Sequence, residues 1–142
     1  MAIQTTYGET MDAGRIGAIV DTNDKTLISR TAEVGSIGFG LPVVQGAADD
    51  GCWKAKTGDT AILGISVRDR STLDDEFKVG ESVRVMTKGV IWVTAAVAVA
   101  AGEPVTVVVA SATFSNTGGV AIAGATYDSS GDAGSLVKVR LA

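Results

Sequence analysis

This sequence has no histidine, and between residues 89 and 137 it has no lysine or arginine. Without histidine, the Ser–His and Cys–His pairs that activate most nucleophiles cannot be built. A Ser–Lys dyad would need Lys54, Lys56, Lys88 or Lys138 buried beside a serine, and no spacing in the chain points to one. The single cysteine, Cys52, can form no intramolecular disulfide and fits synthesis in a reducing cytosol. Asp49 and Asp50 beside it would raise a thiol pKa while Lys54 and Lys56 act the other way, so Cys52 reads as structural. Two prolines and 5% aromatics leave small aliphatic side chains to fill the core. No basic stripe marks a nucleic-acid footprint. The glycine-rich run from Gly35 to Gly40 lacks the Lys-Ser/Thr that completes a phosphate loop. The opening residues have neither a basic nor an apolar signal region, and the apolar run 90–109 is broken by Thr94, Gly102, Glu103, Pro104 and Thr106. Neither secretion nor a membrane span is expected.

What remains is a chain made to pack and adhere. Its 142 residues carry 46% hydrophobic side chains, eighteen glycines and a net charge of −4. Twelve acids against seven bases leave residues 1–76 at −5, whereas residues 77–142 stand at +1 with four acids and five bases. Short apolar or β-branched runs alternate with turn signals, at 16–20, 27–31, 41–45, 61–67, 83–86, 90–94, 104–110, 120–122 and 136–141. The last run alternates cleanly, with Leu136, Lys138 and Arg140 on one face and Val137, Val139 and Leu141 on the other, as in a half-buried antiparallel strand. Gly80-Glu81-Ser82-Val83 and Gly102-Glu103-Pro104-Val105 repeat one turn-then-strand solution. Residues 71–77 and 95–101 are the candidates for short helices, the latter equally well a strand. The fold class is therefore all-β: a compact antiparallel barrel or sandwich of short strands. An extended N-terminal arm, residues 1–15, precedes a single β domain, residues 16–142.

The candidate sites are binding sites. The acidic clusters Asp49-Asp50 and Asp74-Asp75-Glu76 lack the loop pattern that converges oxygens on a hard cation, so they read as solvated turns, and no metal or cofactor is expected. Trp53 with Asp49 and Asp50 could serve a carbohydrate-binding module. Trp92 alternates within its strand and reads as core or interface. In the arm, Ile3, Tyr7 and Met11 are the large apolar groups and the expected partner contacts, tyrosine being a good interface anchor.

The segments 85–94 (Val-Met-Thr-Lys-Gly-Val-Ile-Trp-Val-Thr) and 101–105 (Ala-Gly-Glu-Pro-Val) resemble the structural cement proteins of tailed-bacteriophage heads. So do the opening from Gln4 to Met11 and the ending from Gly124 to Leu141. The resemblance is one of whole-chain pattern and runs nearly end to end. It implies a non-enzymatic decoration protein on the outer surface of the virion capsid, made in the host cytoplasm. Such a protein binds the major capsid protein across neighbouring subunits of the expanded head and stabilises it against internal pressure. It also implies a homo-oligomer, a homotrimer in preference to a homodimer, with no nucleic-acid or membrane partner. The alternative from another class is a phage host-surface or carbohydrate-binding β module.

Overall fold

The computed structural model describes residues 14–20, 24–69 and 75–142. Ile3, Tyr7 and Met11 lie outside the described residues. Within these residues the regular elements are all strands: β1 (Thr26–Val34), β2 (Ile37–Gly38), β3 (Pro42–Gln45), β4 (Gly51–Lys54), β5 (Gly64–Ser66), β6 (Glu76–Phe77), β7 (Ser82–Thr94), β8 (Pro104–Val108), β9 (Thr113–Ser115), β10 (Val120–Tyr127) and β11 (Leu136–Leu141).

The all-β architecture is organised around β7. Strands β1, β4, β3, β5 and β7 pair in that order, and β1 pairs again with β7 to close a barrel. Strands β11, β10, β8 and β9 continue from the far half of β7. That second group also returns to β7: Ala95 forms a parallel bridge to Phe114, and the Ala96 N–H donates to the Phe114 carbonyl at 3.0 Å. Two strand groups thus share one long wall.

A bulge lets one strand serve both. Thr26 lies opposite Lys88 while Leu27 lies opposite Met86, so Thr87 is an extra residue in the ladder. One added residue shifts the in–out alternation by one. Before it, Val83 and Val85 point into a core with Ile37, Phe39, Val43 and Phe77. Met86 and, beyond the bulge, Ile91, Val93 and Ala95 point into a larger core with Val107, Phe114, Tyr127 and Val139. Gly89 follows the bulge at φ +123°, a conformation that a side chain would strain. Each buried Val or Ile here contributes roughly 1.5–3 kcal/mol, and phenylalanine enters only where volume is needed, as in the edge-on Phe39–Phe77 pair.

Several sequence expectations change. The runs 83–86 and 90–94 are one strand, because Thr87-Lys88-Gly89 bends the ladder without ending it. Residues 95–101 form no helix; Ala95 and Val99 make β-bridges, Val99 to Gly131. In the other candidate helix, Glu76 and Phe77 pair with β2 as strand β6, and residues 71–74 lie outside the described residues. The run 61–67 narrows to Gly64–Ser66, and β4 arises at residues 51–54, where the sequence shows no strand run. The ladders are antiparallel except that β4 lies parallel to β1.

Gly64 marks the tightest approach of β5 to β7, since a Cβ there would sit 2.3 Å from the Met86 carbonyl oxygen. Gly64→Ala is expected to destabilise the fold by roughly 1–3 kcal/mol through overpacking, read as a lower urea midpoint. An unchanged midpoint would show that β5 and β7 can separate at no cost.

Candidate partner-binding surface

The larger core holds up a lobe without charge. From Pro104 to Tyr127 no residue is ionisable except the tyrosine itself, and the loop from Ala95 to Ala101 adds none. The bridge to Phe114 lays that loop along β9, so loop, β9, β8 and β10 wrap one continuous surface. Ala96, Ala98, Ala110, Ala121 and Ala123 are exposed on it, and Val97 and Val108 are each 38% exposed. Depletion of charge is what distinguishes the centre of a protein interface from ordinary surface.

Of the acids that border the lobe, Glu103, Asp128 and Asp132, the first is tied to the lobe's own side chains. Glu103 accepts a hydrogen bond from Asn116 Nδ2, which also donates to the Ala98 carbonyl at 3.3 Å and so ties the loop to β9. Tyr127 is buried, and its hydroxyl donates to the Ser115 carbonyl at 2.7 Å. Burial, then the nearby Glu103 carboxylate, pushes its phenol up to about 12.

Two features shape the lobe. A cavity of about 110 Å³ opens at the seam with the first barrel, lined by Ile16, Leu41, Thr94, Ala96 and Phe114 among others. The other feature is an open strand edge. Val120 and Ala121 pair with Val107 and Thr106, and pairing resumes only at Thr126 opposite Pro104, so residues 122–125 bulge out of the β8 ladder. β11 meets β10 only at Thr126 and Tyr127. Among the described residues no strand lies along the outer edge of residues 120–123. The neutrality of this region is evident in the sequence, but its exposed edge is a property of the tertiary pairing.

The other sequence candidates fall elsewhere. Asp49 and Asp50 lie exposed in the β3–β4 turn, where the Gln45 side chain donates to the Ala48 and Asp49 carbonyls. Trp53 is half-buried with Lys56 Nζ 4.4 Å from its ring centroid, and Lys138 stands 5.5 Å from the Trp92 centroid. Neither ring stands clear as a stacking platform. Among the described residues no cluster of three or more His, Cys, Asp or Glu side chains could hold a metal. Cys52 is fully buried, and burial together with the Glu33 carboxylate, more than the aspartates beside it in sequence, pushes its thiol up to about 11. Outside the lobe, Val34 and Val79 are 52% and 58% exposed at one end of the first barrel.

The family model for structural cement proteins (E217 gp24/Pam3 gp6) matches residues 3–142. The chain belongs to the phage structural cement family. Its fold is that of a chain in the capsid of Myoviridae phage XM1, with 16% identity, a TM-score of 0.77, and 99% of this chain and 98% of that one covered. It also resembles the N base of head fibre gp8.5 of bacteriophage phi29, with 13% identity and a TM-score of 0.57 over 84% of this chain and 95% of that one. No relative was found among curated proteins. The uncharged lobe and its open edge are therefore features of a phage structural protein.

Cys52 and Tyr127 give the cement protein an alkaline limit. Both are neutral when protonated and both titrate higher when folded, from ordinary values of 9.0 and 10.0. The folded state then holds protons that the unfolded chain releases, so their contribution is intact below about pH 9 and is lost as pH rises toward 11–12. Thermal melting should fall across pH 9–12, by at most about 1.4 kcal/mol per pH unit per group. The Cys52→Ala/Tyr127→Phe double variant should show a shallower fall; an equally steep one would place the alkaline sensitivity elsewhere.

Proposed function

We propose that this protein binds the outer surface of the expanded phage head, across neighbouring major capsid proteins, and holds them together against internal pressure. The observation that carries the reading is a broad uncharged surface on a member of the cement family. It acts without catalysis, cofactor or nucleic acid, as a homo-oligomer, with the trimer favoured over the dimer. Residues 16–142 form one β domain, and residues 1–15 are an arm whose Ile3, Tyr7 and Met11 extend the contact to a neighbour.

The mechanism is linkage. A ligand that binds only the expanded lattice stabilises that lattice by its binding free energy. Each clip that spans two shell subunits must be released before they separate. Because an oligomer engages several sites at once, modest affinity at each becomes high avidity through effective concentration. The half-covered tryptophans Trp53 and Trp92 give the host-surface and carbohydrate reading no comparable support.

Co-sedimentation with undecorated heads, expanded and unexpanded, tests this. Saturable binding to expanded heads alone, at a fixed copy number per capsomer, is expected. Absence of binding to either form would move the search to glycans. Deleting residues 2–12 should weaken head binding at least tenfold while leaving the far-ultraviolet circular dichroism of the β domain unchanged. A truncated protein that binds as well as the full chain would remove the arm from the contact.

A further inference from the structure

An arm that grips a neighbour has to be held at its own root. Resting on the cement reading above and on its arm, we infer that Arg68 is the positioning residue of that root, contributing to head binding only through the arm. The root is the tight turn 15–18, closed by the Ala18 N–H donating to the Arg15 carbonyl at 2.9 Å. Beyond the turn the chain lies along β7. Gly17 and Val20 donate to the Trp92 and Val90 carbonyls at 2.8 and 3.0 Å, and Ile19 bridges Ile91.

Arg68 reaches this turn from 52 residues away in the chain. Its Nε–H donates to the Ile16 carbonyl at 3.0 Å, and its backbone N–H donates to the Gly17 carbonyl at 2.8 Å. One residue thus holds two consecutive carbonyls. The half-buried guanidinium lies 4.9 Å from the Phe39 ring centroid, with Asp75 3.4 Å from one of its nitrogens. The turn itself is pressed onto the first barrel, since a Cβ on Gly17 would lie 2.8 Å from both the Gly40 nitrogen and Phe39 Cβ. Gly14 is as close to the Trp92 indole, where a Cβ would come within 2.5 Å of Nε1.

The placement of the Arg68 side-chain bond separates rooting from folding. Residues 17–20 already cover this edge of β7 through their own backbone bonds. The Ile16 carbonyl lies past the end of that ladder, on the side where the arm departs, so a bond there acts on residues 14–16. Strand ends open first, because their last bonds are few and exposed. A charged donor makes a hydrogen bond roughly twice as strong as a neutral one, and stacking on Phe39 holds the planar guanidinium in line with its acceptor. A fixed point of departure lowers the ordering cost when the arm makes its contact. It also keeps the arm at high effective concentration beside the neighbour.

The test is a double-mutant cycle on expanded undecorated heads, using the full-length protein, the 2–12 deletion, Arg68→Ala and the combined variant. The deletion and Arg68→Ala are each expected to weaken binding at least tenfold, and the combination to weaken it no further than the deletion alone. In Arg68→Ala, amide exchange at Gly17, Ala18 and Val20 should quicken at least tenfold while the β11 amides exchange at the parental rate. If thermal melting shows Arg68→Ala unfolded, Arg68→Lys, which keeps the charge without the planar fork, takes its place under the same criteria. Losses that multiply in the combined variant overturn the proposal, because Arg68 then serves another contact. Parental head binding by the folded variant overturns it too, as does exchange that quickens across β11. A deletion without effect overturns it together with the arm's role and leaves the cement reading standing. No head binding by the parent overturns that reading as well.

Discussion

Everything in this molecule depends on the continuous pairing of β7 along both of its edges. Its first half lies between β1 and β5. Its second half has β11 on one side, and on the other the segment 17–20, where Gly17 and Val20 donate to Trp92 and Val90 and the Trp92 N–H donates back to Ala18. A strand buried in this way cannot slip, because a one-residue shift would turn Val83, Val85, Met86, Ile91 and Val93 away from their cores together. The bulge at Thr87 is therefore a required part of the fold. The local change in parity puts Ile91 and Val93 on the same core as Met86, although they lie five and seven residues beyond it.

The sequence makes the fold class legible and hides this joint. Alternation from Leu136 to Leu141 reads directly as a strand with one wet face, and the structure pairs that strand with β7 residue for residue. Thr87-Lys88-Gly89 reads as a break, since a lysine and a glycine between apolar runs are the ordinary signs of a turn. Only the partner strand reveals that the ladder passes through. Residues 95–101 illustrate the opposite ambiguity: an Ala/Val run has no pattern of its own, and the bridges to Phe114 and Gly131 decide its conformation. β4 escapes notice because Gly51-Cys52-Trp53-Lys54 has no β-branched residue and follows two aspartates, although it pairs antiparallel with β3 and parallel with β1.

The candidate binding surface divides in the same way. Its neutrality is written plainly in the residues, since no base occurs from 89 to 137. Its shape is not, because the gap in the β8–β10 ladder depends on where β10 leaves one neighbour and meets the next. Glu103 shows how tertiary structure edits composition: an acid at the border of the region becomes a bracing group when Asn116 donates to it. Ile3, Tyr7 and Met11, which the proposed function places in the contact, lie outside the described residues.

Small side chains reconcile two opposing demands on such a surface. A binding face must shed water readily, which favours apolar groups, yet a free protein with a large exposed apolar patch associates without control. Alanine removes little apolar area per residue, and the lobe exposes alanines with Val97 and Val108 only partly uncovered. Each unit therefore remains weakly adhesive by itself. On the lattice of the proposed function, the same weakness would be multiplied by the number of sites engaged together. A stickier surface, with leucine or phenylalanine in place of alanine, would bind single subunits and lose the preference for an assembled shell. Under the proposed function, a lobe that exposes few large apolar side chains and little charge would favour an assembled lattice over its parts.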